Sequence, residues 1–108
     1  MTVRAGEFWI ADVLFTGGGV SKKRPVLVLW LDGLDAVVAA VTTAGPRSHS
    51  DVALGDWSSS GLRRPSTVRL SRLDCFERKL LVARIGTISS NDAQAIKETW
   101  ANQIKLQF

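Results

Sequence analysis

Residues 25–31, Pro-Val-Leu-Val-Leu-Trp-Leu, run without a polar side chain. The stretch is too short and too evenly apolar for a surface helix. Opened by proline and closed by the turn pair Asp32-Gly33, it reads as a strand buried on both faces or walling a barrel. Pro25 suits the first position of such a strand, where its missing N–H costs little. Any fold of this chain has to cover that strand from water. Directly before it stand Lys22, Lys23 and Arg24, and before these Gly17-Gly18-Gly19. Three cations on a glycine-rich loop therefore lead straight into buried backbone.

The rest of the pattern supplies partners for the strand. Residues 8–14 are rich in β-formers and end at the glycines, so they predict a first strand followed by a loop. Asp32-Gly33 turns the chain into residues 35–43, and so short a connection predicts a hairpin. Residues 44–50 read as loop, 51–54 as a short strand and 55–64 as an irregular segment holding Trp57. Residues 66–73 alternate apolar Val68 and Leu70 with polar Thr67, Arg69 and Ser71, which predicts a half-exposed strand. A turn over 74–79 and a strand over 80–88 follow. Ser89, with Asp92 three positions on, signals a helix start, and Ala93, Ile96, Trp100 and Ile104 give an apolar stripe over roughly 92–105. Five or six short strands and one helix, with no repeat or linker, predict a single domain over residues 1–108. Its fold class is mainly β, a small barrel or half-barrel with a C-terminal α-helix.

Composition narrows the function less than the pattern narrows the fold. At 108 residues with 45 % hydrophobic side chains the chain can bury a core. A net charge of +4 suggests an anionic partner, although simple solubility explains it equally. No leader pattern and no stretch of about 18 apolar residues is present, so a soluble cytoplasmic protein without a membrane contact is expected. Catalytic side chains are few: one histidine, one cysteine and no tyrosine. No serine sits in a GxSxG elbow. No GK[ST] follows the glycines, and no helix opens after them. Cys75 can form neither an intramolecular disulfide nor a thiolate zinc cluster, and beside Leu73 and Phe76 it is expected to be buried and inert. Trp9, Trp30 and Trp100 read as core, and Trp57 as partly buried beneath a loop.

Arg24 is the residue with a chemical reading. Anchored at the base of a buried strand, its planar fork suits two oxygens of a phosphate. Composition alone favours a plainer role, a solvated basic edge that guards against aggregation. Thr42 and Thr43, at the end of the third strand, carry hydroxyls. If strands two and three pair as a hairpin, Arg24 and Thr42 lie at the same end of the sheet.

The segments GEFWIADV, KKRPVLVL, VVAAVTT, RPSTVRLSRL and ARIGTIS, taken in order and followed by a helix with an acidic first turn, resemble the MazF/PemK family of toxin endoribonucleases. The resemblance runs from about residue 6 to residue 104, and KKRPVLVL is its most specific part. It implies an SH3-like, CcdB/PemK-type β-barrel, a homodimer, a cognate antitoxin and cleavage of single-stranded RNA. It implies Arg24 and Thr42 as catalytic residues, Ser66 as a support for the site or the RNA, and a loop over 15–23 that closes on RNA. Ser21, Lys22, Lys23, Thr43, Arg47 and His49 are the remaining candidate RNA contacts. The implied chemistry, attack by a ribose 2′-OH to leave 2′,3′-cyclic phosphate and 5′-OH ends, needs no metal and no cofactor. Residues 18–21 depart from the GSEQ-like stretch of many members by lacking its glutamate. A gyrase-inhibiting toxin of the CcdB branch and a catalytically degenerate RNA-binding relative are the alternatives on the same fold.

Overall fold

The computed structural model describes residues 2–14 and 21–108. Its strands are β1 (Glu7–Leu14), β2 (Ser21–Asp32), β3 (Asp35–Thr42), β4 (Asp51–Ala53), β5 (Thr67–Glu77) and β6 (Leu81–Thr87), and the helix α1 is Ser90–Gln103. All pairings are antiparallel, in the order β4-β5-β3-β2-β1-β6. The mainly β class with a C-terminal helix is as expected from the sequence. The sheet is open, however, with β4 and β6 at its ends. β4 is three residues long and no rung joins it to β6.

Side chains draw those two ends together instead. Ser89, just after β6, caps α1 by accepting the Asp92 N–H at 3.1 Å and donates its own hydroxyl to Asp56 Oδ2 at 2.7 Å. The Asp92 carboxylate accepts the N–H groups of Gly55 and Asp56, just beyond β4, at 2.9 Å each. The sequence marks Asp92 as a favourable charge near a helix N-terminus. Its larger role is this tertiary tie, made 5 % exposed.

Alternation sorts the strands into two apolar layers. Phe8, Leu27, Ala39, Val41, Val52, Val68 and Leu70 face Ile96 of α1. On the other face lie Trp9, Ala11, Val26, Val28, Ala36 and Val38 with Leu81. β2 contributes to both layers, which accounts for its unbroken apolar run. Gly33 turns the β2–β3 hairpin at φ +59°.

Several expectations are corrected by pairing. Ser21, Lys22, Lys23 and Arg24 belong to β2, opposite Leu14, Val13, Asp12 and Ala11 of β1. The glycines and the rest of the expected loop, residues 15–20, lie outside the described residues. β5 continues through the expected turn at Asp74, because Asp74–Glu77 find partners in Val38–Asp35 of β3. A bulge over residues 70–72, between the rungs Ala40↔Arg69 and Ala39↔Leu73, makes that extension possible. Cys75 is exposed rather than buried, standing opposite Val37 on the face turned away from Phe76. Trp30 is 44 % exposed and meets Trp100 edge-on, with ring centroids 5.8 Å apart. Trp9 and Trp57 are placed as the sequence suggests, in the core and half-buried against it.

Candidate functional site

Rungs place the candidate residues on one face. Trp9↔Val26, Val26↔Ala40, Ala40↔Arg69 and Arg69↔Asp51 form one continuous row across five strands. Directly paired residues share a face, so this row continues the layer that holds Trp9 and Val28. Two residues further along, the next row holds Ala11↔Arg24 on one side and Thr42↔Thr67↔Ala53 on the other. Arg24 and Thr42 stand at equal distance in sequence beyond the rung Val26↔Ala40, the last between β2 and β3. Both therefore rise from the same face at the same end of the hairpin.

Their surroundings differ usefully. Arg24 is exposed and Thr42 half-buried, while Thr67 beside Thr42 is buried at 3 % exposure. Thr42 Oγ1 accepts the Ala44 N–H at 3.1 Å. That bond uses a lone pair and leaves the hydroxyl hydrogen available for donation outward. A guanidinium and a hydroxyl donor at the end of a rigid two-strand wall make a site for an anion with several oxygens.

The other candidates divide. Lys22 shares the parity of Arg24 and lies on its face, whereas Lys23 projects to the opposite face, across from Asp12. Thr43, Arg47 and His49 are exposed in the segment that leaves Thr42. Ser21 enters only through its rung with Leu14. Ser66 is 8 % exposed and donates to the Arg64 carbonyl at 2.8 Å, which suits support of the chain entering β5.

Sequence reading missed Thr67, Arg69 and Asp51 as part of this face. The alternation of residues 66–73 predicts solvent around the first two. Instead Thr67 is buried, and the Arg69 side chain is 19 % exposed, with Nε 3.5 Å from Asp51 Oδ1. The missed signal was a charge-matched pair, Asp51 and Arg69, on two strands that the structure pairs. Cys75 lies far along β5 from this row. Local desolvation and the carboxylates of Asp35, Asp32 and Asp74 push its thiol up, away from the reactive thiolate. Among the described residues no group of three or more His, Cys, Asp or Glu side chains is arranged to hold a metal ion, and no helix is long and apolar enough to cross a membrane.

An open antiparallel sheet with this order and a C-terminal helix is a fold found in solved structures. An endoribonuclease in complex with its cognate antitoxin, from a mycobacterial species, superposes with a TM-score of 0.77 at 18 % identity, covering 99 % of both chains. The Mycobacterium tuberculosis toxin MazF-mt6 gives 0.72 at 22 % identity, over 94 % of this chain and 99 % of that one. MazF from Deinococcus radiodurans gives 0.72 at 15 % identity, over 98 % and 99 %. Among curated proteins no sequence matches the chain. The family model for PemK-like, MazF-like toxins of type II toxin–antitoxin systems matches residues 4–104. The chain belongs to that family.

Proposed function

We propose that this chain, acting as one domain over residues 1–108, is an RNA-cleaving toxin that cuts single-stranded RNA through Arg24 and Thr42. The observation that carries the reading is their common position, two residues beyond the rung Val26↔Ala40 on one face. Single-stranded RNA brings the matching ligand, a phosphodiester whose non-bridging oxygens face the two donors. The ribose 2′-oxygen attacks phosphorus and the bond from phosphorus to the 5′-oxygen breaks. The attacking hydroxyl gives up its proton and the departing oxygen takes one, leaving 2′,3′-cyclic phosphate and 5′-OH ends. Charge gathers on the non-bridging oxygens in the transition state, where fixed donors lower the barrier most. Arg24 supplies a permanent charge and Thr42 a hydrogen bond.

Lys22, Arg47, His49 and Thr43 extend the contact along the RNA, and Ser66 braces the entry to β5. Lys23, on the opposite face, contributes long-range attraction only. The working form is a homodimer in the cytoplasm, held in check by a cognate antitoxin. The antitoxin bound to the mycobacterial endoribonuclease supports that last element. The likeness to the mycobacterial endoribonuclease supports the RNA-cleaving reading over the gyrase-inhibiting one.

The test is incubation of purified protein with mixed RNA in EDTA, beside Arg24→Ala and Thr42→Ala. Fragments ending in cyclic phosphate, lost in either variant, are expected. Intact RNA at high protein concentration would overturn the reading.

A further inference from the structure

The turn over residues 47–51 is built more firmly than an exposed loop requires. Asp51 Oδ2 accepts the Arg47 N–H at 2.8 Å, closing the turn on itself. The hydroxyls of Ser48 and Ser50 share a hydrogen bond of 2.9 Å, and the Asp51 N–H reaches Ser48 O at 3.2 Å. The closed turn is then fastened to β5 at two adjacent points. Leu70 N–H donates to Ser50 O at 3.1 Å, and Arg69 Nε lies 3.5 Å from Asp51 Oδ1.

The charged fastening is nearly dry. The Asp51 side chain is 1 % exposed, and both Asp51 Oδ1 and Arg69 Nε are buried without a hydrogen bond. A buried pair lacking hydrogen-bond geometry is poor evidence of stabilisation, because desolvation offsets much of the attraction. Holding a particular orientation is the better-fitting role for this one. Its place in the fold says what it orients. Arg69 shares a rung with Ala40, and Thr67, its neighbour on the same face, shares one with Thr42. A single stretch of β5 thus supports Thr42 and anchors the turn that presents Arg47 and His49.

We propose that the Asp51–Arg69 pair is a positioning device for RNA sequence selection. It sets the 47–51 turn, and with it Arg47 and His49, at a fixed offset from Arg24 and Thr42. Arg47 meets a phosphate next to the one being cut, and His49 meets the face or edge of the adjoining unstacked base. Arg69 touches no reacting atom and acts through Asp51. The inference rests on the RNA-cleaving reading and names the part of that site which selects sequence.

The test compares wild type with Arg69→Leu, Arg69→Lys, Asp51→Asn and the double variant Asp51→Asn/Arg69→Leu. Each is given a pool of RNA oligonucleotides with randomised interiors, and the cut positions are read by sequencing the 5′-OH ends. Steady-state constants follow on the best-cut sequence, with thermal melting on the same samples. Wild type is expected to cut a restricted set of sequences, and Arg69→Lys to keep that set. Arg69→Leu and Asp51→Asn should broaden it and raise KM about tenfold, with kcat changed less than about threefold. The double variant should be no worse than Arg69→Leu alone, since both changes break one contact. Asp51→Asn conserves volume and the acceptor for Arg47 N–H, so it carries the test if Arg69→Leu does not fold. A lower melting temperature with an unchanged sequence set in both single variants would make the pair merely structural and overturn the proposal. A wild type that cuts no RNA would overturn the RNA-cleaving reading and this inference with it. A wild type that cuts, with variants equally selective, overturns the positioning role alone.

Discussion

Glu7 and Arg84, 77 residues apart in the chain, meet at 2.6 Å where β1 and β6 pair. The Glu7 carboxylate also accepts the Arg4 N–H at 2.7 Å and the indole N–H of buried Trp9 at 3.1 Å. It is the polar hub of the layer that leads to Arg24. Burial works to raise its pKa, but the bonds from Arg4, Arg84 and Trp9 outweigh that and hold it below the ordinary 4.5. The unfolded chain therefore binds the proton more readily than the folded one. Stability from Glu7 is complete above the ordinary carboxylate range and is lost as pH falls through 4.5 towards the lowered value. Glu7→Gln is expected to cost roughly 1–3 kcal/mol at pH 7, the worth of hydrogen bonds to a charged group. Urea unfolding at a series of pH values should show the gap between wild type and variant closing below pH 4.5, the ordinary carboxyl value. A gap independent of pH would refute it.

The strands were legible where local chemistry and pairing agree. Residues 25–31, the turn at Gly33 and the Ser89 cap carry their structure in their own side chains. Lys22–Arg24 and Asp74–Glu77 do not. Lysine, aspartate and glutamate are weak strand formers alone, and both segments become strand because a partner lies alongside, Ala11–Val13 in one case and Asp35–Val38 in the other. The placement of the candidate site residues was legible to the same degree. Hairpin reasoning brings Arg24 near Thr42, since the register of β2 on β3 is local. Burial of Thr67 and Arg69 was hidden, because it depends on β4 and Asp51 settling against β5 from outside its sequence neighbourhood. Trp30 misled for a related reason. An aromatic inside an apolar run reads as core, but a bulge between Val28 and Trp30 shifts it out towards Trp100.

Asp92 offers a sharper test of the tie across the open sheet. Its two oxygens satisfy Gly55 and Asp56 N–H groups that sit 37 and 36 residues away. Asp92→Ala leaves both donors without their acceptor beside the helix start, and should cost roughly 2–4 kcal/mol. Asp92→Asn keeps one acceptor oxygen and should cost about half as much. Chemical denaturation measures both. Equal, small losses would mean water takes over the carboxylate's place.

Backbone contact between residues 60–61 and β6 makes a second stability prediction. Gly61 has φ +92°, and a Cβ there would stand 2.5 Å from Ile85 O; one on Gly86 would collide with Ser60 O. Neither obstacle is a flexible side-chain end. Gly86→Ala and Gly61→Ala should each destabilise by about 2–4 kcal/mol, through overpacking and, at Gly61, backbone strain. Thermal unfolding reads the loss. A variant as stable as wild type would show that the segment can lift from β6 without cost.

Arg24 and Thr42 should fail differently when replaced conservatively. A lysine at 24 keeps the charge but not the planar fork, so a role that needs two parallel hydrogen bonds is not rescued. Arg24→Lys is expected to lose roughly 10²-fold in kcat, approaching Arg24→Ala, the scale seen when one transition-state donor is removed. Thr42→Ser keeps the hydroxyl and its acceptance of Ala44 N–H, and should lose less than about tenfold. Thr42→Val keeps shape but removes both the outward donor and the Ala44 acceptor. Its loss should fall mainly on kcat with RNA affinity little changed, because the donor matters most as charge develops on phosphorus-bound oxygen. Single-turnover cleavage with saturating enzyme separates the two. Thr42→Val cutting at the wild-type rate would remove the hydroxyl from the chemistry and leave Thr42 as the cap of its own turn.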